Sequence, residues 1–249
     1  MNKEATYLLT AVIFLSGLSL VAGAQQITET QTNEYGLTVI SSEKAYRQLV
    51  KTDSNQSLVL LGKYISHPAT AFFYATTNNF THQILYRNPL PYLRLPAAKA
   101  LKNVQDSLQK TGLGICIFDA YRPYEVTRKM WAYVPDERYA ANPAKGSGHN
   151  RGIAVDLTLI DLNSRTPLPM PTAFDNFSDT AHYTFTQLPE NVLKNRMLLR
   201  SVMEYFGFVA LETEWWHFSL PDPKKFPLLN LDFDVVKRIL GSAVEPTPH

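Results

Sequence analysis

Apolar and polar positions along this chain follow two periods, and each period marks its own elements. From Pro96 to Thr111, Ala98, Leu101, Val104 or Gln105, and Leu108 recur at helical spacing, with Gly112 and Gly114 closing the run. Gly114-Ile-Cys-Ile-Phe-Asp119 is β-branched and aromatic, which predicts a buried strand. Pro123, at a first-turn position, opens a second predicted helix that runs to about Tyr133. Ile153 to Leu162 predicts a strand, and about Pro189 to Tyr205 a third helix stopped by Gly207. Ser57–Gly62, Phe208–Leu211 and Trp215–Ser219 predict short strands. Residues 25–58 are mixed and polar and read as extended entry structure; residues 64–92 read as irregular. Residues 135–152 form a long loop of the kind that often carries function, and residues 163–187 are rich in Pro, Thr, Asp and Phe. Short strands returning between helices, without regular β-α alternation, predict an α+β fold. With no linker, repeat or low-complexity segment, the chain reads as one domain.

The first 24 residues stand apart. Lys3 and Glu4 lie in a short polar start, an apolar run follows from Tyr7 to Ala22, and Ala22-Gly23-Ala24 is the small-x-small pattern a signal peptidase accepts. The run falls short of the ~20 apolar residues that span a bilayer. Residues 1–24 are therefore expected to be a cleaved signal peptide. Residues 25–249 are expected to be a single exported domain, periplasmic or in the cell envelope and free of the membrane once cleaved.

Composition narrows the chemistry. The 249 residues are 45% hydrophobic and 18% charged, a globular balance. A formal net charge of +2 is too small for a nucleic-acid footprint. One cysteine, Cys116, excludes an internal disulfide and a Cys-rich zinc site. It is flanked by Ile115 and Ile117 and reads as core.

Two short segments hold the candidate chemistry: Ser147-Gly-His149-Asn-Arg-Gly152-Ile-Ala-Val-Asp156 and Glu214-Trp-Trp-His217. His149, Asp156 and His217 supply the three protein ligands a catalytic zinc typically takes. Glu214 remains as a spare carboxylate, which a hydrolase needs as general base. His149 and Asp156 have odd separation, so a straight strand would point them apart; Gly152 permits the required bend. Glu214 and His217 share that parity problem, which a turn before a strand at Trp216 would solve. Taken singly, a His has an ordinary reading as a surface or hydrogen-bonded residue, and an Asp in a strand as a turn residue or ion-pair partner. Glu212 is a rival base, and His67, His82, His182 and His249 carry no motif.

The combination resembles the zinc D-Ala-D-Ala metallopeptidases, most closely the VanX-type D-alanyl-D-alanine dipeptidases. Four further stretches are similar to that family: Phe118-Asp-Ala-Tyr-Arg122-Pro, with Ala120 in place of the family's Gly; Tyr74-Ala-Thr-Thr-Asn-Asn-Phe-Thr81; Asp156-Leu-Thr-Leu; and Pro169-Met170 through Phe174-Asp175. The resemblance spans roughly residues 60–222 in the expected order. It implies a single α+β domain with a central, mainly antiparallel sheet and flanking helices, of the metallopeptidase/hedgehog type. It implies one zinc ion on His149, Asp156 and His217, Glu214 as general base and later proton donor, and Arg122 on the oxyanion. Ser147 would hold the substrate's carboxylate, and Asp175 and Tyr74 its free ammonium, so that the substrate is the small dipeptide D-Ala-D-Ala. The alternatives are a D,D-carboxypeptidase or peptidoglycan endopeptidase on the same scaffold, or a zinc-containing module that binds wall peptides without cutting them.

Overall fold

The computed structural model describes residues 30–66 and 68–242. The expected leader, His67 and His249 lie outside the described residues. The architecture is the expected α+β one, organised on a five-stranded sheet. Its strands are β4 (Ala69–Thr70), β6 (Leu113–Asp119), β7 (Ala154–Asp161), β9 (Glu214–Ser219) and β8 (Val209–Leu211), hydrogen-bonded in that spatial order. Only the β4–β6 pair is parallel; the other three pairs are antiparallel. Smaller sheets join β1 (Thr30–Thr32), β2 (Thr38–Ile40) and β10 (Leu228–Leu229), and β3 (Leu58–Leu60) with β5 (Tyr92–Arg94).

The central strands read apolar because both faces are covered: Ala154 through Ile160 are buried without a break. Helices α2 (Leu95–Gln109) and α4 (Glu190–Tyr205) pack on the sheet and on each other. The predicted stripe of Ala98, Leu101, Val104, Gln105 and Leu108 is the buried face of α2. Gln105 joins it because its side-chain oxygen accepts the Ile115 amide at 3.0 Å. Cys116 is a core residue, its thiol pushed up to about 11 by burial. Helix α3 (Tyr124–Tyr133) begins one residue after Pro123, which is its N-cap rather than part of its first turn.

Two helices depart from the sequence reading. Residues 25–58 are not simply extended entry structure: α1 (Glu43–Thr52) lies within them, capped by Ser42, whose hydroxyl accepts the Ala45 amide at 3.2 Å. Tyr46 anchors it, buried with its hydroxyl on the Leu58 amide at 2.6 Å. Near the other end, α5 (Phe233–Ser242) buries Val236 and Ile239 in the second apolar cluster, with Tyr46 and Leu58. No helix among the described residues is long and apolar enough to cross a membrane.

Candidate metal centre and substrate cavity

The site forms where β7 and β9 pair. Asp156 lies directly opposite His217 in the register. His149 is not on a strand at all but in the turn 148–152 that leads into β7. Gly152 makes the bend that the odd His149–Asp156 separation demands, with φ +68°. The position also lacks room: a Cβ there would lie 2.9 Å from Leu58 Cδ2 and 3.0 Å from Arg94 Cγ.

The Glu214–His217 parity is solved differently from the expectation of a turn before Trp216. Strand β9 already begins at Glu214 and bulges instead. Leu211 pairs with Glu214 and Ala210 with Phe218, leaving Trp215, Trp216 and His217 without a partner on β8. A bulge re-aims side chains without ending the strand, so both functional groups reach one side. A second bulge, between Ile117 and Asp119 on β6, sets Asp119 opposite Asp156.

His149, Asp156 and His217 each offer one donor atom, all within 4.8 Å of one another. Asp156 spans the two rings: Oδ1 is 2.9 Å from His217 Nδ1 and Oδ2 is 3.3 Å from His149 Nε2. The His149 tautomer is set by its other nitrogen, since Nδ1 donates to the Ala120 carbonyl at 2.8 Å and leaves the Nε2 lone pair facing the cluster. Burial works to raise the Asp156 pKa, but His149 and His217 hold its carboxyl well below the usual range, so it stands ionised. Two neutral-capable imidazoles and an ionised carboxylate, converging in a buried corner, fit a divalent metal of the zinc type.

All eight residues singled out in the sequence line one cavity of about 170 Å³: Tyr74, Arg122, Ser147, His149, Asp156, Asp175, Glu214 and His217. The Glu214 carboxyl makes no hydrogen bond with another described residue, and burial pushes it up to about 7. Its rival Glu212 is ion-paired to Arg200 at 2.6 Å on the exposed side. Ser147 is buried, with its hydroxyl oxygen accepting the His149 amide at 3.2 Å. Asp175 has a left-handed backbone, φ 58°, uncommon outside glycine and frequent at functional turns. Its Oδ1 accepts the Tyr74 hydroxyl at 2.9 Å, while Oδ2 is buried with no partner in the structure. Burial raises the Asp175 pKa from 3.8 to about 7.

Arg122 is buried and held on one edge. Its Nε and Nη2 donate to Asp119 Oδ2 at 3.0 and 2.7 Å, and its guanidinium stacks 5.2 Å from the Tyr74 ring centroid. Tyr86 donates to Asp119 Oδ1 at 2.9 Å and accepts from Arg122 Nε at 3.3 Å. Burial is the largest single influence and works against the Arg122 charge, yet Asp119 together with Tyr86, Tyr74 and Asp156 outweighs it and keeps the guanidinium charged. Nη1 makes no hydrogen bond with another described residue, and Arg122 lines the cavity. Asp119 and Tyr86 were not singled out as site residues. Asp119 lies inside the Phe118–Pro123 motif, where an acid three residues before an arginine is a readable signal. Tyr86 sits 36 residues from Arg122 in irregular chain and carries none. The motif's departure at Ala120 is tolerated because its φ is not left-handed.

Residues 55–237 match the peptidase family M15 described as D-Ala-D-Ala dipeptidase. A D-alanyl-D-alanine dipeptidase of Escherichia coli K12 is 36% identical over 156 residues, 63% of this chain and 80% of that protein. One from Enterococcus faecium is 32% identical over 182 residues, 65% of this chain and 90% of that protein. A looser likeness, TM-score 0.39 at 18% identity, covers 80% of this chain and 86% of a solved LdcB LD-carboxypeptidase. With nearly three quarters of its length inside the family match, the chain belongs to the D-Ala-D-Ala dipeptidase family of metallopeptidases.

Proposed function

We propose that this chain is an exported, zinc-dependent dipeptidase that hydrolyses free D-alanyl-D-alanine to two D-alanines. The observation that carries the reading is the buried, unpartnered Oδ2 of Asp175 in the same small cavity as Glu214 and the His149–Asp156–His217 group. The family's peptidases are zinc-dependent, and His149, Asp156 and His217 would hold the ion. Zinc there supplies Lewis acidity, which lowers the pKa of water to ~7 and polarises a carbonyl.

The chain's own residues do the rest. Asp175 Oδ2 accepts the substrate's ammonium, and Tyr74 fixes the other carboxylate oxygen. Ser147 donates its hydroxyl hydrogen to the substrate carboxylate at the far end. Glu214 takes a proton from the attacking water and returns it to the departing amine; a carboxyl near 7 suits both tasks at neutral pH. Arg122 donates through Nη1 to the carbonyl oxygen as it gains charge. A peptide lacking a free ammonium leaves Asp175 desolvated and unpaired, which penalises it. Export rests on residues 1–24, with the catalytic domain following from residue 25. N-terminal sequencing of the protein from the cell envelope should begin at Gln25; a retained Met1 would remove this part.

Glu214→Gln should lose about 10²–10⁴-fold in kcat while retaining its zinc. Near-normal D-Ala-D-Ala hydrolysis by that variant, or full activity after exhaustive chelation, would sink the mechanism.

The raised Asp175 pKa adds a pH test. As pH falls through about 7 the carboxylate takes up a proton and loses its grip on the ammonium, so kcat/KM for D-Ala-D-Ala falls. The stability sign is opposite. Between about 4 and 7 the folded state holds a proton that the unfolded chain gives up, so ionising Asp175 costs stability as pH rises. Asp175→Asn should therefore raise the thermal midpoint at pH 8 while weakening substrate binding. A lowered midpoint there would contradict the buried, uncompensated charge.

A further inference from the structure

The cavity has a roof built from residues outside the proposed chemistry. Phe80, Tyr139 and Phe177 come from three separate loops, and all three line it. Phe177 stands between the other two, with its ring centroid 5.4 Å from Phe80, edge-on, and 4.6 Å from Tyr139. The outer rings are braced in turn. Phe80 meets Tyr74 edge-on at 6.3 Å, and the Arg138 guanidinium lies 5.0 Å over Tyr139.

Phe177 also belongs to the turn that carries Asp175. The left-handed backbone of Asp175 starts that turn, and Asn176 Oδ1 closes it by accepting both the amide and the hydroxyl of Ser178, at 3.0 and 2.6 Å. One short segment therefore places a carboxylate inside the cavity and an aromatic ring on its wall two residues later.

We propose that Phe177, braced by Phe80 and Tyr139, is a specificity-determining residue that closes the space beyond the ammonium site, so that only an unblocked dipeptide fits. This rests on the reading of Asp175 as the ammonium site. The chain then rejects longer or N-acylated peptides twice: Asp175 by an unmet charge, and the aromatic roof by volume. The two act through different groups and are separable. Asp175→Asn removes the charge and leaves the wall; Phe177→Ala removes the wall and leaves the charge.

The test compares kcat/KM for N-acetyl-D-Ala-D-Ala with that for D-Ala-D-Ala in the zinc-loaded wild type, Phe177→Ala and Tyr139→Ala. The expected result is a ratio about tenfold or more higher in Phe177→Ala than in wild type, with a smaller rise in Tyr139→Ala. Circular dichroism checks the fold. Tyr139→Ala, on another loop, decides the matter by a rise or no rise should Phe177→Ala fail to fold. A wild type that discriminates, with an unchanged ratio in the folded variants, overturns the roof and leaves the dipeptidase reading standing. A wild type that cleaves both substrates equally removes the ammonium clamp itself.

Discussion

Two buried arginines hold the same turn, and their surroundings could hardly differ more. Arg122 and Arg94 are 6% and 0% exposed. The Arg122 amide donates to the His149 carbonyl at 3.1 Å, and the Arg94 amide donates to that of Gly152 at 2.7 Å, so the His149 turn hangs between them. Asn150 adds cross-links, donating to the Arg122 carbonyl at 3.0 Å and to the Thr127 hydroxyl at 2.8 Å. Arg122 has a carboxylate, Asp119, on one edge and the cavity on the other. Arg94 has no ion-pair partner among the described residues. Its Nε donates to the Arg151 carbonyl at 2.8 Å, its Nη2 to that of Pro227 at 3.0 Å, and its Nη1 to that of Gln56. Burial lowers its pKa to about 10, whereas Asp119 pushes Arg122 the other way. A guanidinium whose three nitrogens each donate to a backbone carbonyl ties chain segments together. One anchored along a single edge is both charged and available. On the proposed reading, the difference separates an architectural arginine from a chemical one.

That contrast can be broken by substitution. The largest effect should come from Arg122→Lys, which keeps a charge but loses the fork. A fall of about 10²–10³ in kcat is expected with zinc content unchanged. Steady-state kinetics beside metal analysis would show it, and wild-type turnover would dissolve the distinction. Next, Arg94→Met strips donors from three carbonyls, each buried acceptor costing about 1–3 kcal/mol. The urea midpoint should drop sharply, while kcat of the remaining folded, zinc-loaded enzyme moves far less than in Arg122→Lys. Unchanged stability with lost turnover would reverse the two roles. The smallest effect belongs to Tyr86→Phe, which removes one donor to Asp119 and so loosens Arg122 by about 1 kcal/mol, a few-fold in kcat with KM nearly constant. A loss as large as that of Arg122→Lys would instead place the phenol in the chemistry.

Legibility varied with how local each cause was. Helices α2, α3 and α4 were readable because their buried positions recur at helical spacing, and strands β6 and β7 because each is a short, nearly unbroken apolar and β-branched run. Helix α1 was missed although Ser42-Glu43 is a capping signal and Ala45, Tyr46, Leu49 and Val50 recur at helical spacing. Its polar exposed face diluted that stripe. Helix α5 had the same kind of stripe in Val235, Val236, Ile239 and Leu240 and went unread. The bulges at Phe118 and at Trp215–His217 could not be read, because a bulge is a property of a pair of strands. Tyr86 is the same case at longer range.

What the sequence determined by itself was the inventory: the ligand types, the spare carboxylate, the arginine and their order along the chain. Those follow from residue chemistry and short spacing, which need no partner to be stated. Only the tertiary structure decided which groups are desolvated, which oxygen of Asp175 is left without a partner, and which of two buried arginines faces the cavity. It also joined Phe80, Tyr139 and Phe177 into one wall. Burial and hydrogen-bond satisfaction depend on everything packed around a group, and most of what surrounds these groups comes from distant parts of the chain.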